Sequence, residues 1–91
     1  MPLYTFIMEY AGGTYISQVK AASPKSAVVR WAQELPADEI DDFGPASKTR
    51  LIREVMEEPP GVVTGLSNAW CVTTLIRGKL ALINIVQTSD A

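Results

Sequence analysis

Six prolines set the limits on what this chain can fold into. Proline is accepted in the first turn of a helix and ends a helix anywhere else. Pro24 and Pro36 bracket one segment; Pro45 and the pair Pro59-Pro60 bracket another. In the first, Ser23 is a good N-cap and Pro24 falls at the first helical position, which predicts a helix over residues 24–35. Ala27, Val28, Trp31, Ala32 and Leu35 then share one stripe, with Ser26, Arg30, Gln33 and Glu34 opposite. The second segment predicts a helix over residues 46–58, with Ser47 available as its cap and Leu51, Ile52, Val55 and Met56 on one face. Arg50 with Glu54 and Arg53 with Glu57 are spaced for ion pairs worth about 0.2–0.5 kcal/mol each. Glu57 and Glu58 sit against the dipole of such a helix. The alternation of Leu51, Arg53 and Val55 also fits a strand, but helical spacing describes the segment better.

Both ends of the chain read as hairpins. Leu3 to Tyr10 runs into Gly12-Gly13 and returns through Thr14 to Ala21, and a Gly-Gly pair suits a tight two-residue loop. That turn sets Tyr10 opposite Tyr15 and Phe6 opposite Val19. One face then carries Tyr4, Phe6, Met8, Tyr10, Tyr15 and Val19 and is expected to be core. The other carries Thr5, Glu9, Gln18 and Lys20, with Ile7 and Ile16 as its apolar members. At the far end, residues 69–76 and 80–88 flank Arg77-Gly78-Lys79, where Arg before Gly suggests a bulged loop. This second hairpin is apolar on both faces. Trp70, Val72 and Ile76 point one way and Cys71 and Leu75 the other; Ala81, Ile83 and Ile85 likewise oppose Leu80 and Leu82. Such strands are central in a covered sheet or belong to an oligomer interface. Residues 62–64 offer a short extra strand.

The order ββααββ predicts an α+β fold: a two-layer sandwich with an antiparallel four-stranded sheet and helices on one face. At 91 residues, 47% of them apolar and 20% charged, residues 1–91 make one domain. The net charge of -2 argues against a general nucleic-acid binder. Residues 47–91 carry five basic and four acidic groups against three and six in residues 1–46, too small an asymmetry for a strong basic surface. Histidine is absent, which removes Ser-His-Asp and Cys-His chemistry and imidazole metal ligation. The uncharged stretch at residues 62–76 is too short to span a bilayer. With one cysteine and no leader-like start, a cytoplasmic protein is expected.

The densest polar cluster lies between Pro36 and Pro45. Asp38, Glu39, Asp41 and Asp42 are four carboxylates in five residues, without the alternating ligands and terminal Glu of a calcium loop. This segment reads first as a solvated connection between helices. Its functional reading is a partner-docking loop comprising Asp38, Glu39, Ile40, Asp41, Asp42 and Phe43, with Ile40 and Phe43 as apolar anchors. Cys71, without a base beside it, is expected to be a small buried hydrophobe. Glu57 and Glu58, about a hundred degrees apart on a helix, would not face one substrate from one wall. Tyr4, Tyr10, Tyr15, Trp31 and Trp70 read as core packing rather than a stacking platform. No metal site, cofactor or catalytic set is expected.

The run Gly13-Thr14-Tyr15-Ile16-Ser17-Gln18-Val19, followed by Ala22-Ser23-Pro24-Lys25-Ser26-Ala27-Val28, resembles the opening hairpin and helix of the HicB-like antitoxin family. The resemblance covers residues 4–35, with Lys20-Ala21-Ala22 in place of the family's longer Pro- and Gly-containing loop. It implies a cytoplasmic α+β module that binds a protein partner. The expectation is therefore a small non-enzymatic binding or regulatory protein, homodimeric, acting through protein-protein contacts at its sheet or acidic loop. The alternative is a small-ligand binder or small enzyme with an aromatic-lined pocket between helices and sheet. A third reading, nucleic-acid contact through Arg77-Gly78-Lys79, predicts a steep salt dependence.

Overall fold

A computed structural model describes residues 1–90. Strands β1 (Leu3–Tyr10) and β2 (Gly13–Lys20) form the first hairpin, in which Tyr10 faces Gly13 and Phe6 faces Ser17. The turn is Ala11-Gly12, with φ of 50° and 80°, so it sits one residue before the expected Gly12-Gly13. Each partner consequently moves by two residues. A two-residue slip leaves side-chain parity unchanged, and Tyr4, Phe6, Met8, Tyr10 and Val19 are buried on the anticipated face. Gly13 serves close approach instead of turning. A Cβ placed there would lie 2.7 Å from the Tyr15 hydroxyl, so the glycine lets Tyr15 fold over the strand.

Strand β3 (Gly61–Val62) precedes the second hairpin, β4 (Ala69–Ile76) and β5 (Lys79–Ser89). β5 pairs with β1 and β4, and β3 pairs with β4 at Gly61–Cys71 and Val62–Trp70. The sheet is thus five-stranded and antiparallel, in the order β2-β1-β5-β4-β3, one strand more than the four expected. The second turn is also a strict two-residue loop, with Arg77 at φ 53° and Gly78 at 78°, rather than a bulge. Both turns have the twist that two-residue hairpins favour, at the cost of a non-glycine residue in the left-handed region.

Helix α1 (Pro24–Glu34) starts as predicted: the Ser23 side chain accepts from the Ser26 N–H, the Ser26 side chain returns a bond, and Pro24 opens the first turn. Ala27, Val28, Trp31 and Ala32 are buried along its stripe. A single 3-10 turn (Ala37–Glu39) leads to α2 (Gly44–Glu57). α2 begins two residues earlier than expected, because Gly44 at φ 84° turns the chain into it. Ser47 is consequently a buried helix residue, not the cap. The buried stripe is Ser47, Leu51 and Val55; Met56, a quarter-turn away, is 57% exposed and not on the core face. Lys25 Nζ donates to the Met56 carbonyl at 2.9 Å, which places a cation at the negative end of α2 and offsets the acidic residues there.

The helices cover one face of the sheet and bury one continuous core. Phe6 stacks on Trp31 with ring centres 5.1 Å apart, Trp70 meets Tyr4 edge-on at 5.9 Å, and Phe43 meets Tyr10 edge-on at 6.0 Å. These aromatics pack against one another, as large rings in a core do.

Candidate functional site

The acidic segment divides into wet and buried residues. Asp38, Glu39 and Asp41 are exposed, whereas Ile40 and Phe43 are only 5% and 4% exposed. Those two side chains extend the core beneath the segment and present no apolar anchor at its surface. Asp42 closes the structure at the hairpin end of the sheet. Its backbone takes φ 55°, and its carbonyl accepts from the Tyr10 hydroxyl at 2.6 Å. That hydroxyl also lies 3.0 Å from the Ile76 carbonyl. The Asp42 carboxylate accepts from Arg77 Nε at 2.8 Å and Lys79 Nζ at 2.7 Å. The Lys79 hydrogen bond, supported by the charges of Lys79 and Arg77, holds the Asp42 carboxyl below its ordinary range. The same bond raises Lys79. Burial, followed by the Asp42 charge, raises Tyr10. Arg77 and Lys79, the basic pair of the turn, are thereby matched to a carboxylate within the chain.

The other face of the sheet carries no covering element among the described residues. Cross-strand parity places Ile16, Ile7, Asn84 and Cys71 in one row, with Leu82 beside Glu9 and Thr73 in the next. Leu75 pairs with Leu80 beyond them. Ile16 is 67%, Leu80 60% and Leu75 57% exposed, and Val86 is exposed as well. Gln18 Nε2 donates to Thr5 Oγ1 at 3.1 Å, and Thr5 bonds Thr88, so one polar row satisfies itself. Near the first turn, Glu9, Leu80, Leu82 and residues 10–14 enclose a shallow groove of about 370 Å³.

A second cleft, of about 440 Å³, opens where the end of α2 meets the edge of β4. Glu54, Val55, Glu57 and Glu58 form one wall, and Cys71 through Thr74 form the other. Glu54 accepts from the Thr74 hydroxyl and from Arg50 Nε at 3.2 Å, which ties helix to sheet. Cys71 is half-buried, not the fully buried residue expected, because its side chain lies on the uncovered face of the sheet, in the row of Ile7 and Asn84. Glu57 and Glu58 line the same cleft after all. Glu58 is already extended, with φ -122° and ψ 130°, so the helical angle between them does not apply. Nothing in residue spacing announces this cleft, since its two walls lie about a dozen or more residues apart in the chain.

Comparison with protein-family models, with curated proteins and with solved structures finds no match to this chain. Among the described residues no helix is long and apolar enough to cross a membrane. Nor is any group of three His, Cys, Asp or Glu side chains there placed to hold a metal ion.

Proposed function

We propose that this protein is a non-enzymatic binding module that works as a homodimer, two copies meeting through the open face of the sheet. The observation that carries the reading is the exposure of Ile16, Leu75, Leu80 and Val86 on one uncovered face, with Ile7 and Leu82 between them. These apolar side chains, interspersed with Glu9, Asn84 and Thr73, support a contact site on this face. Four long strands spaced about 4.8 Å apart, with about 3.3 Å per residue over eight residues, give a face of about 500 Å². Two such faces bury about 1,000 Å², the lower bound for a specific interface. The acidic segment is the weaker candidate, since its apolar residues are buried and Asp42 is engaged. One half-buried thiol with no partner cysteine suits a reducing compartment, and the cytoplasm is the proposed location. Within the same proposal, the resemblance of residues 4–35 to HicB-like antitoxins favours a regulatory role exerted on another protein.

Analytical ultracentrifugation at high micromolar concentration tests the reading. The wild type is expected to sediment as a dimer, and the pair Ile16→Lys with Leu80→Lys as a folded monomer. A wild type that stays monomeric at that concentration, or a dimer indifferent to both substitutions, removes the proposal.

A further inference from the structure

We infer that the cleft between α2 and β4 takes an extended basic segment of another protein, which adds to the sheet as a strand. The reason begins with Pro59 and Pro60. By the Gly61–Cys71 register they stand where β3 would have to continue along β4, and neither has an N–H to donate. β3 and the following Val63 therefore cover only Ala69 to Cys71, and among the described residues the β4 edge beyond Cys71 is left unpaired.

Hydrogen-bond alternation fixes what this edge offers. Ile76 and Lys79 flank a two-residue turn and so form a closing hydrogen-bonded pair. Alternating from there, Val72, Thr74 and Ile76 bond β5, while Ala69, Cys71, Thr73 and Leu75 turn their N–H and C=O groups away from it. Two observations agree: Val63 N–H donates to the Ala69 carbonyl at 3.2 Å, and a Cβ placed on Gly61 would lie 3.5 Å from the Cys71 carbonyl. Thr73 and Leu75 lie past the end of β3 and present two N–H and two C=O groups along the edge. That is the template that strand addition uses.

The walls specify the incoming side chains. Alternate residues of an added strand point toward α2, over Val55 and Val72 and up to Glu57 and Glu58. A Lys or Arg there lays its aliphatic stem on the two valines and brings its charge to the carboxylates. The lining contains no Lys or Arg among the described residues, and Lys25, which caps the Met56 carbonyl, is not part of it. The partner that fits alternates basic with apolar residues. This edge is distinct from the open face, so both can be occupied at once.

The probe is a short blocked peptide of alternating lysine and valine, titrated into the intact protein and followed by amide NMR. Binding is expected to shift the Thr73 and Leu75 amides most and to slow their exchange. The double variant Glu57→Lys with Glu58→Lys is expected to bind about tenfold more weakly, with most of that loss gone in high salt. Thr73→Pro removes an outward N–H without touching the ladder to β5 and is expected to abolish binding. Should Thr73→Pro unfold the protein, the same peptide methylated on alternate backbone nitrogens supplies the test, and it is expected not to bind the wild type. Shifts confined to β2 or to the open face, full binding by the methylated peptide, or no shift at millimolar peptide each overturn the inference. So does concentration-dependent protection of Thr73 and Leu75 in the free protein, which assigns the edge to a second copy.

Discussion

The two hairpins are built alike and used differently. Each closes on a two-residue turn whose first residue, Ala11 or Arg77, is not glycine yet lies at positive φ. The first hairpin buries one face and shows water a mainly polar one. The second buries Ile83, Ile85 and Ala81 against the helices and leaves Leu75, Leu80 and Val86 uncovered on its back. Its outward apolar residues do nothing for the isolated chain's core, and the contact proposed above rests on them. The turns differ too. Arg77 is held by the Asp42 carboxylate, whereas Ala11 lies at an exposed turn beside a shallow groove.

The sharpest way to break this comparison uses neighbouring residues of β5. Ile83 is fully buried between β1 and β4, while Leu80 is largely exposed. Ile83→Ala is expected to cost about 2–5 kcal/mol in urea denaturation. Leu80→Ala is expected to fall within about 0.5 kcal/mol at dilute, monomeric concentration. If Leu80→Ala costs as much as Ile83→Ala in dilute protein, the open face is part of the monomer's fold and not an interface.

The glycine and turn positions give smaller effects of opposite sign. Gly13→Ala pushes Tyr15 aside and disturbs the bond that its hydroxyl accepts from the Asp41 N–H at 3.3 Å, with an expected loss of about 1 kcal/mol. Ala11→Asn places a residue that tolerates left-handed backbone at φ 50° and is expected to gain about 0.5 kcal/mol. Arg77→Asn makes the same backbone improvement but gives up one contact to Asp42, so thermal unfolding should show a smaller gain or none. Equal gains at both turns would show that the Asp42 contact contributes nothing to the second.

How far these features could be read from the residues follows from how local their causes are. Strand faces were legible because alternation has a period of two, and that parity survived an error of one residue in placing the first turn. The capped start of α1 was legible because Ser23, Pro24 and Ser26 are neighbours in the chain. Ile40 and Phe43 looked like surface anchors because the sequence around them is acidic, yet the chain reverses at Asp42 and Gly44 and turns both inward. The Asp42 clasp joins residues thirty-five or more positions apart, and the α2–β4 cleft depends on where Pro59-Pro60 end a strand. Neither has a periodic signal.

The clasp itself yields the smallest effect, and pH separates it from packing. The Asp42 carboxyl lies below its ordinary range when folded, so its contribution is complete above the unfolded-state value and is lost as pH falls through the folded one. Lys79 is raised, so its share persists below its unfolded value and disappears only as pH climbs through the folded value, far into the alkaline range. Asp42→Asn keeps the shape and removes the charge. The urea-midpoint difference between wild type and Asp42→Asn is expected to be largest near neutrality, to shrink toward zero through the acid range, and to shrink again in about 1 M salt, where charges on the surface are screened within about 3 Å. A difference that holds constant in acid and in salt would assign the role of Asp42 to its backbone, through the carbonyl that accepts from Tyr10, and leave Arg77 and Lys79 free for a partner.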